Sequence, residues 1–150
     1  MSTVKDHTRL SRLIAGSHGW AAAKAVKSYE MNERDSAVLS KSAVDLLKIF
    51  PDVPGASALM SAALAVSLEG RLDAPVHVVA GALTVAGTVV YGDEAPFDVA
   101  KVLNGSGWNG HVWVMVGGYI VDIALFRTAY SAQQPTLLSR HVHQTFGPGK

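Results

Sequence analysis

The chain has 150 residues, 49% hydrophobic and 17% charged, which suits a single domain (1–150) large enough to bury one core. A formal net charge of +1 and a pI near 8.1 supply no strong field of the kind that draws a protein to nucleic acid or an acidic membrane. Cysteine is absent, which excludes disulfides, thiolate metal sites and a cysteine nucleophile in the chain as written.

Met1 to His7 lacks the apolar stretch of a signal peptide. The longest apolar run is shorter than a membrane span and is closed by Glu69 and Arg71. The expectation is a cytoplasmic protein with neither membrane nor nucleic acid as partner. Residues 1–50 read as an N-terminal helical part. A short basic helix is expected from Asp6 to Ala15, with Leu10, Leu13 and Ile14 on one side, broken by Gly16-Ser17-His18-Gly19. A second runs from Trp20 to Met31. The cations Lys5, Arg9, Arg12, Lys24 and Lys27 suit an anionic partner or, more plainly, a solvated face. From Ala37 to Phe50, the apolar positions Val38, Ala43, Leu46, Leu47 and Phe50 approximate helical spacing, and Pro51 and Pro54 end the pattern.

Pro54-Gly55 then opens, and Glu69-Gly70 closes, a run without charge from Ser57 to Leu68. Being apolar all round, it predicts a buried helix. Ser57 falls in the first turn, where unpaired backbone N–H groups and the positive end of the helix dipole converge. Serine there is a common cap; a nucleophile there would find ready oxyanion donors. Ser61 and Ser67 are expected to bond back to carbonyls one turn earlier.

After Gly70 the period changes. Pro75 to Val85 reads as a strand, Ala86-Gly87 as a turn and Thr88 to Tyr91 as a second strand. Glu94 to Leu103 is weakly helical or irregular, and Asn104 to Gly110 is a flexible loop by composition. His111 to Val116 is a strand that Gly117-Gly118 joins to Tyr119–Ile123 as a two-residue hairpin. Pairing outward from 116 and 119 sets Asp122 opposite Trp113 and His111 near the level of 124, so His111 and Asp122 can share a face and an end of the sheet. A carboxylate there can hold one imidazole nitrogen and leave the other free as a base. Singly, His111 also reads as a strand-edge histidine and Asp122 as a strand-ending acid. His77 reads as a core or edge histidine. Leu125 to Ala132 suits a short helix. His141-Val142-His143 alternates as a strand would, with both imidazoles on one face; lacking a third ligand, it leads us to expect no metal and no cofactor. Residues 144–150 read as a loose tail. The fold class expected is α+β: N-terminal helices and a buried central helix packed on a C-terminal antiparallel sheet.

Three motifs occur in one order: Gly55-Ala56-Ser57, Gly110-His111-Val112-Trp113-Val114 and Gly118-Tyr119-Ile120-Val121-Asp122. With them the stretch 54–123 resembles the core of the transglutaminase-like group of papain-fold enzymes. In that group a Gly-x-Cys opens the central helix, a His-x-Trp-Val strand supplies the base, and an Asp on the next strand orients it. The resemblance implies a papain-like fold with Ser57, His111 and Asp122 as catalytic residues and no cofactor. It also implies acyl transfer at an amide bond of a peptide or protein substrate. Residue 57 would attack the carbonyl, and its backbone N–H would help hold the oxyanion. Water as acceptor gives a peptidase or deamidase, and an amine gives a transferase. Trp108 and Trp113 would wall the substrate cleft, although a strand tryptophan is more often core, and Asn104 to Gly110 would be a lid over it or simply a connecting loop. The departure is Ser57, engineered or natural, where the group has cysteine; a hydroxyl does not ionise beside histidine as a thiol does. The alternative is a catalytically inactive relative serving as a protein interaction module.

Overall fold

A computed structural model describes residues 3–51, 57–85, 87–92, 100, 109–130 and 136–146. Thr3–His18 (α1) and Trp20–Ser28 (α2) are separated by Gly19, whose φ of 88° lies in the left-handed region that favours glycine. The break therefore comes at Gly19, with His18 still helical. Ile14, Ala23 and Val26 form a small core shared by the two helices, with Leu10, Ala15 and Ala22 against it. The second helix stops before Met31 because Tyr29 turns extended and sends its ring into the main core. The Tyr29 hydroxyl donates to Asp35 Oδ2 at 2.7 Å, and Asn32 Nδ2 donates to the same oxygen at 3.0 Å. Asn32 also caps Glu33–Ile49 (α3), its Oδ1 accepting the Asp35 N–H at 2.8 Å.

Ser57–Leu68 (α4) buries Met60, Ser61, Leu64 and Leu68, but Leu59 and Val66 stand 58% and 71% exposed. The expectation of a helix buried on every face is corrected. The sheet packs on one side and Val38, Leu39, Ala43, Leu46 and Leu47 of α3 contribute to the same core, leaving a further side of α4 open. Uniform apolarity carried no contrast by which to tell the sides apart.

Val76–Gly81 (β1) pairs antiparallel with His111–Val116 (β4), from Val76 opposite Val116 to Gly81 opposite His111. Tyr119–Val121 (β5) pairs with the other edge of β4, giving the order β1-β4-β5. Val116 lies opposite Tyr119 across Gly117-Gly118, the register expected. The single strand expected over 75–85 is two strands: Ala82 interrupts it, and Leu83–Val85 (β2) pairs instead with Thr88–Tyr91 (β3) in a separate sheet. Leu125–Tyr130 (α5) and Leu137–Phe146 (α6) follow. Residues 144–146 are thus helical, not part of a loose tail, and Thr145 Oγ1 donates to the His141 carbonyl at 2.9 Å. The remaining residues of that expected tail, 147–150, lie outside the described residues.

The chain is α+β. The main core joins α4, β4 and the chain after β5 through Met60, Leu64, Leu68, Val114, Val116, Ile123 and Ala124. A second cluster, Val85, Ala129, Leu138 and Val142, joins the small sheet to α5 and α6. Among the described residues no helix is long and apolar enough to cross a membrane.

Candidate functional site

The site is built on the first residue of β4. Alternation along a strand sends successive side chains to opposite faces, and Val114 and Val116 enter the core with α4. His111 and Trp113 therefore share the other face, on which the continuing register of β5 also sets Asp122. His111 Nε2 lies 2.5 Å from Asp122 Oδ2. The histidine is 1% exposed, so this is a buried contact with little competition from water. With the carboxylate ionised, Nε2–H donates and Nδ1 is left as the nitrogen with a free lone pair. Asp122 Oδ1 is a buried acceptor without a partner among the described residues.

Two aromatic rings flank the imidazole. Trp113 lies with ring centroids 6.2 Å away and Tyr91 with centroids 5.9 Å away, each at an interplanar angle of 24°. The indole also covers Gly81, where a Cβ would come 3.0 Å from Trp113 Cη2. Tyr91 was not foreseen. It ends a strand of the other sheet, so no pattern within β4 or β5 points to it.

Ser57 is the first residue of α4 and is half-buried. One turn later, Ser61 Oγ donates to the Val112 carbonyl at 2.9 Å, so this serine bonds across to the sheet and not back along its own helix. The bond reaches β4 at a level to which β5 does not extend. Ser57 and His111 thus sit one helical turn and one strand residue from the same contact, a turn being about 5.4 Å of helix. Among the described residues no hydrogen bond joins Ser57 Oγ to His111 or Asp122. The structure brings His111, Asp122 and Trp113 together, while Ser57, one turn before Ser61 on α4, has no bond to them among the described residues. Trp108, Gly55-Ala56 and residues 104–108 lie outside the described residues.

The remaining histidines stand apart. His141 and His143 lie on helix α6, both exposed, where two residues turn the side chain by about 200°, so they do not share a face as a strand would have them. Among the described residues no group of three or more histidines and acids could hold a metal ion. His77 faces His18, ring centroids 5.3 Å apart. Burial, and secondarily the neighbouring His18, hold His77 below the usual imidazole value. No family model, no curated protein and no solved structure matches the chain.

Proposed function

We propose that this chain is an acyl-transfer enzyme of the transglutaminase-like, papain-fold class, acting in the cytoplasm on an amide bond of a peptide or protein. One observation carries the reading. A buried imidazole is held through Nε2 by Asp122, which leaves Nδ1 as the base, beside the point where α4 is bonded to β4. In the reaction His111 Nδ1 takes the proton of residue 57 as its heteroatom attacks the carbonyl, then returns it to the leaving amine. Asp122 keeps the proton on Nε2 and stabilises the imidazolium. The acyl group passes to water or to an amine. Catalytic hydrogen bonds are often long or absent without substrate and tighten in the complex. Serine is the weaker nucleophile at neutral pH, so Ser57→Cys is the more reactive form.

One observation favours the second reading, an interaction module: Ser57 Oγ makes no hydrogen bond to His111 among the described residues. The test separates the two. Ser57→Cys is treated with iodoacetamide across pH, alone and combined with His111→Gln, and circular dichroism verifies that each variant is folded. The enzyme reading expects alkylation that persists well below the ordinary thiol range and loses that behaviour with His111→Gln. Ordinary thiol reactivity, indifferent to residue 111, leaves the module.

A further inference from the structure

The first two helices carry a charge the rest of the chain does not. Residues 3–28 hold Lys5, Arg9, Arg12, Lys24 and Lys27 against one acid, Asp6, a formal +4 in a chain of net +1, so the remainder carries −3. All five cations are exposed, and among the described residues none is ion-paired. They are ordered by the helices. Lys5, Arg9 and Arg12 stand at i, i+4 and i+7 on α1, and Trp20, Lys24 and Lys27 repeat that spacing on α2, so each trio forms a stripe along one face. Packing does not require Trp20 to be outside: Leu10, Ile14, Ala23 and Val26 make the core of the pair, and the indole stands 72% exposed beside the lysines.

We infer that the stripe of Trp20, Lys24 and Lys27 on α2, in the field of the α1 cations, docks an acidic peptide segment in extended form. Cations at i and i+4 on a helix are about 6 Å apart along the axis. Alternate side chains of an extended chain are about 6.6 Å apart. Lys24 and Lys27, three residues apart, are about 4.5 Å apart along the axis, a shortfall that long flexible side chains span, so acids at every second position reach successive cations of a stripe. Trp20 supplies the large rigid contact that, with Arg, dominates protein recognition. A lipid surface fits less well, because Leu10 and Ile14 are turned inward and, among the described residues of the two helices, Leu13 and Trp20 are the large apolar side chains left to enter it. Nucleic acid fits less well because the pI of 8.1 falls short of the strongly basic balance such surfaces carry. The inference stands independently of chemistry at residue 57.

The test is fluorescence anisotropy of a labelled peptide of alternating Glu and Ala with the full chain. We expect saturable binding that weakens as salt rises, falls by about tenfold or more in the double variant Lys24→Glu, Lys27→Glu, falls in Trp20→Ala, and is unchanged in Lys48→Glu on α3. Circular dichroism establishes that each variant is folded. Absence of binding, or an equal loss in Lys48→Glu, overturns the inference. So does preference for phosphatidylserine vesicles or a single-stranded oligonucleotide over the peptide at equal ionic strength.

Discussion

The side chain of Tyr29 lies on the bare Cα of Gly117, 88 residues away in sequence. A Cβ at Gly117 would meet Tyr29 Cδ1 and come 2.9 Å from Tyr29 Cβ and Cγ, atoms near the root of the side chain with little room to swing. Gly117 also has φ of 56°. Gly117→Ala adds left-handed strain to displacement of Tyr29 and is expected to cost about 2–3 kcal/mol in urea denaturation. In a Tyr29→Ala background the cost of the same change should shrink toward the strain alone, about 1–2 kcal/mol. An additive double mutant would show that the two residues are not coupled.

Tyr91 is expected to act on His111 by holding the plane of its ring. In the Ser57→Cys background, Tyr91→Leu should lower the His111-dependent alkylation rate by roughly tenfold through misplacement of the base, while Tyr91→Phe, which keeps the stacked ring, should leave it unchanged. The discriminating readout is the pH profile: a purely structural role would change thermal stability without moving the profile.

His77 makes stability depend on pH with a definite sign. Its folded-state value is lowered, so below about 6.5 the unfolded chain binds the proton more readily than the folded one. The contribution is complete above that pH and is lost as pH falls through the lower folded value. Urea midpoints measured from pH 7.5 to 5 should fall, and His77→Gln should flatten the fall. An unchanged slope would remove His77 as its source.

Arg127 on α5 closes the C-terminal end of α3. Its guanidinium donates to the Phe50 carbonyl at 2.6 Å, to that of Pro51 at 3.3 Å and to that of Leu47. The Leu47 and Phe50 carbonyls are ones a helix end leaves unpaired, at the negative pole of its dipole, and that of Pro51 lies just beyond it. Arg127→Ala should cost about 2 kcal/mol by chemical denaturation, and Arg127→Lys should recover only part of it, since an ammonium cannot reproduce the planar fork. Full recovery by lysine would reduce the contact to charge alone.

The hairpin at Gly117-Gly118 was legible because a two-glycine turn between apolar runs sets one register. That register sets Asp122 opposite Trp113, on the face of the sheet that His111 also uses. The split at Ala82 was hidden inside a continuous apolar stretch, where nothing marks one sheet from the next. Helix α4 had no polar side to reveal which residues face water. His141-Val142-His143 mimicked strand alternation, although a local signal for helix was present in Thr136-Leu137-Leu138-Ser139. There the Ser139 N–H donates to Thr136 Oγ1 at 3.1 Å, and the Thr136 N–H donates to Ser139 Oγ at 2.8 Å, a reciprocal cap. Tyr91 was unreadable for a different reason: its contact with His111 exists only because two sheets abut.

The separate core of α1 and α2 has a consequence for how the molecule breathes. Their buried residues cluster with one another, and among the described residues the pair meets the rest through Tyr29, at Asp35, Gly117 and Tyr119, and through His18 on His77. Such a unit can open up to Tyr29 with the cluster around Leu64 and Val114 still packed, so its amides should exchange with solvent at a lower free energy than those of α4 and β4. The two helices would then be the last part to settle when the chain folds and the first to be cut by a protease, leaving the His111–Asp122 contact intact behind them.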